Sequence, residues 1–242
     1  MTVVVVSPHL DDAVLSAWLL LRDNPGTRVV SCFAGVPTGG AGTWDAAFGS
    51  AAEAVTARRR EDVAALARTR AVPTHLDLLD AQYRPEGAPS PLPELTDALR
   101  VELATASQVW LPAAIGGHTD HVVARDAALA ALRPGQPAYV YADLPYAGQP
   151  GWPPAVSRSL RDRLLHVALR RHRIHPGAAW TAALSALPVG TVRIHPLGAA
   201  ERQEKLADLN CYSSQLAALR CGPGHPLRTR RLLRREVSWV LS

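Results

Sequence analysis

The sequence predicts an α/β fold: a Rossmann-like, doubly wound, mostly parallel sheet with helices on both faces, in a single domain. Three observations carry this. The chain opens on Thr2-Val3-Val4-Val5-Val6-Ser7-Pro8, and four consecutive valines cannot be amphipathic. They read as a strand buried on both faces, as in a parallel sheet. Strand-like and helix-like segments then alternate along the chain. Polar clusters lie directly behind two of the strands, where such a sheet binds its ligands.

Taken in order, Val14 to Leu21 reads as a helix and Thr27 to Ala34 as a second strand with Val29, Val30, Cys32 and Phe33. The connection from Gly35 to Thr43 contains Gly39-Gly40-Ala41-Gly42. It lacks both the G-x-G-x-x-G order and the G-K-[ST] ending of phosphate loops, and reads as a flexible active-site loop. A long helix is expected over 45–70, a third strand over 74–79, a helix over 92–104 and a fourth strand over 108–111. Another helix follows, with Thr119 or Asp120 as its cap, then a fifth strand over 138–141. The stretch from Pro145 to Pro188, rich in Pro and Trp, caps the site or extends the sheet edge. A late strand is read over 190–195 and a helix over 199–220, with Leu206, Leu209, Leu216 and Leu219 in register. The basic run Arg228-Thr229-Arg230-Arg231, followed by Leu232 and Leu233, reads as the solvated face of a terminal helix. One domain over 1–242 is expected. Residues 1–143 form the α/β core, and residues 144–242 an irregular cap, a late strand and C-terminal helices.

Composition narrows the function. With 242 residues, 48% hydrophobic and 19% charged, the chain is long enough for one substantial core. No apolar stretch reaches the length of a membrane span, and the N-terminal run lacks the basic lead and cleavage site of a signal peptide. Cys32, Cys211 and Cys221 form no disulfide framework or metal-ligand spacing, so a reducing cytoplasm is the simplest setting. The formal charge of +5 is almost all arginine, with Lys205 the one lysine. No nucleic-acid motif accompanies it, so no specific nucleic-acid partner is expected.

The chemistry sits in the two clusters. His9, Asp11 and Asp12 follow the first strand; a histidine and two carboxylates within four positions can bind a metal and leave one carboxylate free as a base. The alternative is a helix cap by Asp11 or Asp12 beside an incidental histidine. Gly116-Gly117-His118-Thr119-Asp120-His121 follows the fourth strand. A ligating imidazole needs a carboxylate or carbonyl on its other nitrogen, and here two histidines flank an aspartate. The remaining histidines, His75, His166, His172, His175, His195 and His225, read as surface or core residues, with His195 a candidate for the rim of the site. Tyr83, Tyr141 and Tyr146 are candidates to help an oxyanion, with packing the favoured reading of each.

With both clusters in view, the chain resembles the zinc-dependent LmbE-like (PIG-L) de-N-acetylase family. Ser7-Pro8-His9-Leu10-Asp11-Asp12 looks like that family's first motif and His118-Thr119-Asp120-His121 like its second. Leu10 and Ala13 stand where the family usually has proline and glutamate. The resemblance extends through Arg58-Arg59-Arg60-Glu61-Asp62 and Asp80, covering most of 1–140. It implies a Rossmann-like hydrolase of acetamides on amino sugars. Position by position, it implies that His9, Asp12 and His121 bind Zn²⁺, with Fe²⁺ or Co²⁺ as substitutes. Asp11 is then the general base. His118, oriented by Asp120, stabilises the oxyanion as imidazolium or protonates the leaving amine. Arg58 and Asp80 match sugar-contacting positions. The expected partner is a small N-acetylated molecule, and a homo-oligomer is compatible. Two alternatives stay open: the same zinc chemistry on a non-sugar N-acyl substrate, and a non-catalytic basic binding module that retains the fold.

Overall fold

The computed structural model describes residues 2–40, 42, 45–149, 152–153, 155–157, 160–171, 177–215 and 232–242, the side chains of 161, 166 and 232 excepted. Its elements run β1 (Val3–Ser7), α1 (Asp12–Ser16), α2 (Trp18–Asp23), β2 (Arg28–Ser31), α3 (Ala51–Thr69), β3 (Val72–His75), α4 (Leu92–Leu103) and β4 (Gln108–Pro112). They continue with α5 (Thr119–Ala131), β5 (Ala138–Tyr141), α6 (Leu160–Arg171), α7 (Ala178–Leu184), β6 (Val189–Pro196), α8 (Ala199–Leu209) and β7 (Arg235–Leu241). The seven strands form one sheet in the order β3-β2-β1-β4-β5-β7-β6. The first five are mutually parallel, and β7 and β6 add antiparallel pairs.

This order positions the site. The valines of β1 are buried at the sheet centre, and β1 lies between β2 and β4. The winding therefore reverses between β1 and β4, which opens a crevice at their carboxyl ends. Both polar clusters leave the sheet there. Helices cover both faces; α4 packs on α5, while α8 packs on α1 and α3. Leu95, Leu99 and Leu103 of α4 are fully buried, following the amphipathic spacing of that segment.

Several boundaries differ from the sequence reading, for physical reasons. The helix expected over 14–21 is two short helices, broken at Ala17, whose φ of −132° is not helical. The long helix begins at Ala51, where the Ser50 side chain accepts from the Glu53 amide at 3.2 Å; Asp45 stays in the preceding loop. It ends at Arg70, in the left-handed region at φ 61°. The third strand begins two residues earlier and ends four residues earlier than expected, and it contains Pro73, which an edge strand tolerates because its outer amides need no partner. At Gly35 a Cβ would sit 2.3 Å from the Asp77 carbonyl oxygen, so only glycine lets the chain pass there. The helix expected over 199–220 stops at Leu209, followed by a turn that lets the Tyr212 hydroxyl donate to Asp62 Oδ1 at 2.8 Å. Leu216 and Leu219 lie outside the described residues.

The last element is a strand, not a helix. After a 3₁₀ turn at Leu232–Arg234, β7 inserts between β5 and β6, so the C-terminal region completes the sheet. The basic run 228–231 lies outside the described residues. A buried ion pair locks β7 in place. Lys205 Nζ donates to Glu236 Oε1 at 2.5 Å and to the Leu15 carbonyl at 2.6 Å, and Glu236 Oε2 accepts from the Leu19 amide at 3.1 Å. Among the described residues no helix is long and apolar enough to cross a membrane. Cys32 and Cys211 are free, and Cys221 lies outside the described residues.

Candidate active site

Pro8 ends β1, and the turn into α1 aims three polar side chains into the crevice. Asp12 organises it: its Oδ2 accepts from the His9 amide at 2.8 Å and lies 3.2 Å from His9 Nδ1 and 3.3 Å from His121 Nε2. One nitrogen of each imidazole and one carboxylate oxygen thus converge, and His9, Asp12 and His121 can hold a metal ion by their mutual distances.

The opposite nitrogen of each imidazole is anchored on a buried carboxylate. His9 Nε2 lies 3.2 Å from Asp120 Oδ2, and His121 Nδ1 lies 2.7 Å from Asp143 Oδ1. Asp120 and Asp143 are fully buried. Carboxylate–imidazole pairs of this kind fix the tautomer and ring orientation of a metal-ligating histidine. Asp143, two residues beyond β5, also accepts from the Ile115 amide at 2.9 Å. Sequence reasoning missed it. The available signal was its place behind a buried strand, the same place that singled out the two clusters.

The structure assigns Asp120 differently from the sequence reading. Its carboxylate lies within 4.8 Å of a His118 ring nitrogen without a hydrogen bond to it; it accepts from the Ala81 amide at 2.9 Å, pairs with Arg84 at 2.5 Å and faces His9. His118 is instead oriented by the backbone: it is the N-cap of α5, and its Nδ1 accepts from the Asp120 amide at 3.2 Å. The cap is therefore neither Thr119 nor Asp120. A ring nitrogen that accepts from an amide carries no proton, so the proton of His118 sits on Nε2 and the ring is neutral. Burial, then the nearby His9 and His121, push His118 below its ordinary pKa in the same sense.

The other charges follow from close packing of acids and imidazoles. Burial, then the neighbouring Asp12, push the Asp11 carboxyl up to about 7. Burial opposes charge on Asp12, but His121 and His9 outweigh it and hold that carboxyl well below the usual range. Burial likewise opposes charge on His121, yet Asp12 and Asp143 raise it to about 9. A set that gathers this much opposite charge around one point has the donor types a divalent cation takes: two imidazoles and a carboxylate.

These groups line a cavity of about 290 Å³. Asp11, His118, Arg58 and Asp80 all border it, so every site residue read from the sequence reaches the cavity or holds a residue that does. Arg58 is almost buried and pairs with Asp45 at 3.0 Å, while its Nη1 donates to the Tyr83 hydroxyl at 3.0 Å. Asp80 is bound by its own turn, accepting from the Gln82 amide and side chain at 3.0 Å each. Gln82, Tyr83, Ser214 and Gln215 complete the polar wall. His195 does not reach this rim; it lies beside Ser238 Oγ at 3.2 Å and lines a separate cavity with Trp110 and Glu236. His75 is bonded to Asp62 at 2.7 Å. His172, His175, His225 and the His166 side chain lie outside the described residues. Tyr141 packs as expected, donating to the Val6 carbonyl at 2.8 Å, whereas Tyr146 lines the cavity.

Fold and geometry together define a Rossmann-like α/β protein with a His–Asp–His cluster at the carboxyl edge of its sheet. The chain belongs to the PIG-L family, GlcNAc-PI de-N-acetylase, whose family model matches residues 4–132. It is 34% identical over 161 residues to 2'-N-acetylparomamine deacetylase of Streptomyces fradiae, a match spanning 60% of this chain and 57% of that relative. Among solved structures it is similar to the zinc-inhibited form of teicoplanin deacetylase Orf2, with 26% identity and a TM-score of 0.74, covering 100% of this chain and 98% of that one. It is similar also to A40926 pseudoaglycone deacetylase Dbv21, with 27% identity and a TM-score of 0.71, covering 100% and 97%.

Proposed function

We propose that the protein is a metal-dependent hydrolase that removes the acetyl group from an N-acetylated amino sugar or amino-sugar conjugate, in a specialised-metabolite pathway of the cytoplasm. The observation that carries this is the convergence of His9 Nδ1, Asp12 Oδ2 and His121 Nε2 beside Asp11 in one cavity. The similarity to 2'-N-acetylparomamine deacetylase and to a deacetylase of the teicoplanin biosynthetic pathway supports it.

His9, Asp12 and His121 would hold Zn²⁺, and a His₂Asp set also accepts Fe²⁺ or Co²⁺. A bound dication supplies Lewis acidity, polarising the acetyl carbonyl and making a water a ready nucleophile near neutral pH. The protein's own side chains do the rest. Asp11 takes a proton from the water as its oxygen bonds to the carbonyl carbon and the C=O electron pair moves to oxygen. A carboxyl raised to about 7 suits a proton acceptor working near neutrality. When the C–N bond breaks, its electron pair goes to nitrogen and Asp11 returns the proton there, leaving acetate and a free amine. His118, neutral with its proton on Nε2, donates a hydrogen bond to the developing oxyanion. That replaces the imidazolium role, which the amide of Asp120 on Nδ1 disfavours.

The outer wall favours a polyhydroxylated substrate. Gln82 Oε1 and Gln215 Nε2, an acceptor and a donor, are buried without a hydrogen-bond partner among the described residues. Asp80 would accept from a sugar hydroxyl. Arg58 would present its guanidinium edge to the sugar while holding Tyr83 and Asp45 in the wall. The test is a metal titration of the apo-protein with acetate and amine measured together on N-acetylated amino sugars and, in parallel, N-acyl amino acids. The proposal expects activity to saturate at one metal per chain, with one amine per acetate, on the sugars. Turnover confined to the non-sugar amides would replace the substrate class, and metal-independent activity would overturn the mechanism.

A further inference from the structure

We propose that the buried ion pair Lys205–Glu236 is a positioning device for the site: it is spliced into the break between α1 and α2 and sets where α1 presents Asp11 and Asp12. This rests on the hydrolase reading above. In an unbroken helix the Leu19 amide would donate to the Leu15 carbonyl, four residues back. Here Ala17, at φ −132° and ψ 26°, interrupts the helix, and both groups turn to the ion pair. The Leu15 carbonyl accepts from Lys205 Nζ at 2.6 Å, and the Leu19 amide donates to Glu236 Oε2 at 3.1 Å. Nζ also donates to Glu236 Oε1 at 2.5 Å. One rung of the helix is thus replaced by a bridge through two side chains.

The bridge has fixed footings. Lys205 stands on α8 and Glu236 on β7, and both are buried. Helix α8 also holds α2 directly: Trp18 Nε1 donates to Asp208 Oδ2 at 2.7 Å, and Arg22 Nη1 donates to Glu201 Oε1 at 2.8 Å. With α2 fixed, the bridge decides how the five-residue α1 lies. The site begins at the first turn of that helix, where Asp11 is the N-cap and Asp12 the first residue. At its other end, Ser16 Oγ accepts from the Leu144 amide at 3.0 Å. Leu144 adjoins Asp143, the carboxylate bonded to His121 Nδ1 at 2.7 Å. A shift of α1 therefore reaches Asp11, Asp12 and His121 together.

Stability alone does not call for the pair. Replacing a buried ion pair by apolar side chains of similar volume is often neutral or stabilising, whereas removing one partner is costly. With apolar residues at both positions, the Leu15 carbonyl and the Leu19 amide would meet each other, as in a continuous helix. The rung would close, and α1 would turn relative to α2, which α8 holds. Such a change costs the fold little but displaces the side chains at the start of α1. A misplacement of about 1 Å at reacting groups can cost about 10²-fold in rate. The pair keeps the rung open.

The test compares the full-length wild type, Lys205→Met/Glu236→Met, Glu236→Gln and Asp11→Asn, each loaded with Zn²⁺ or Co²⁺. Glu236→Gln keeps the bridge without its charges. The new amide oxygen accepts from Leu19; the Lys205 amine, which burial already pushes below its ordinary pKa, sheds a proton, still donates to Leu15 and accepts from the new NH₂ group. The double variant should recover in urea most of the stability lost in Lys205→Met. It should nonetheless bind Zn²⁺ about tenfold more weakly by chelator competition and show an altered visible spectrum with Co²⁺. On any substrate the wild type turns over, its kcat should fall about 10–10²-fold with KM little changed. Glu236→Gln should keep the wild-type zinc affinity and cobalt spectrum. A double variant with both wild-type readouts would overturn the proposal and leave the pair a staple of the fold, as would one that fails to fold, or a Glu236→Gln protein impaired as much as the double variant. The arms separate the two claims: a wild type that takes up no metal, or undiminished turnover in Asp11→Asn, sinks the hydrolase reading, whereas an unaltered metal site in the double variant sinks only this one.

Discussion

Asp143→Asn isolates what a carboxylate contributes behind His121, a histidine proposed to hold the metal. Asp143 is fully buried; its two oxygens face two nitrogens, His121 Nδ1 at 2.7 Å and the Ile115 amide at 2.9 Å. For His121 to present Nε2 to a metal, its ring proton must sit on Nδ1, and both neighbours are then donors. Asparagine has nearly the same shape but only one acceptor oxygen. If that oxygen keeps Ile115, the NH₂ group meets Nδ1, and His121 must shift its proton to Nε2, the ligand nitrogen. If the oxygen turns to His121, the Ile115 amide faces a donor in a site closed to water. Disrupting such a carboxylate–imidazole pair typically weakens metal binding about 10–100-fold, or about 1.4–2.8 kcal/mol. A buried donor left without an acceptor costs about 1–3 kcal/mol of stability. Competition against a chromophoric chelator reads the first quantity, and urea unfolding of the metal-free protein reads the second. Asp126→Asn, on the exposed side of α5 and paired with Arg125, is the control. Zinc affinity within twofold of wild type in Asp143→Asn would refute the reasoning.

Other outcomes follow from the same physics. Lys205→Met leaves Glu236 buried beside Leu19 of α2 without its lysine, and breaking a buried pair typically costs about 3–5 kcal/mol; denaturant midpoints should show it, with much of the loss recovered in Lys205→Met/Glu236→Met. Saturating Zn²⁺ at about 100 times its Kd stabilises the native state by about 2.7 kcal/mol, so Tm should rise about 5–10 °C for a chain of this size, and a chelator should reverse the shift. Leu99→Ala, in a fully buried position of α4 far from the crevice in sequence, should cost about 2–5 kcal/mol while activity per folded molecule and zinc affinity stay unchanged.

How much of this was legible follows from where the information lies. The β1 valines and the cluster behind them are local in sequence, and the strand-end rule converts them directly into position. The same holds for Gly116 to His121 behind β4. What the sequence hides is which carboxylate meets which imidazole. Asp120 was expected behind His118, two residues away, but a residue at the start of α5 can reach across the crevice, and its carboxylate meets His9 from the opposite strand end. Asp143 belongs to no motif, since a lone aspartate after a strand has no periodic signal. Tyr146 is nearly silent too; its place in the cavity wall depends on the space left at Gly116, thirty positions earlier. Strand β7 was obscured for another reason. It buries Glu236 and Ser238 as well as Val237 and Trp239, so it shows neither clean alternation nor a pure apolar run. Its buried glutamate becomes intelligible only with Lys205 opposite. The helix expected over 199–220 overran because leucine spacing carries no signal for the turn that Tyr212 needs to reach Asp62.

The central claim is that His9, Asp12 and His121 hold a metal and that Asp11 moves the proton. The most direct measurement is amine release from a panel of N-acetylated amino sugars by zinc-loaded wild type, chelated wild type and Asp11→Asn, with zinc content determined on each sample. The account predicts turnover by the loaded wild type, loss on chelation, and an Asp11→Asn protein that keeps its zinc yet loses most of its turnover. An Asp11→Asn enzyme as active as wild type, or a zinc-loaded wild type inert across the whole panel, would contradict it.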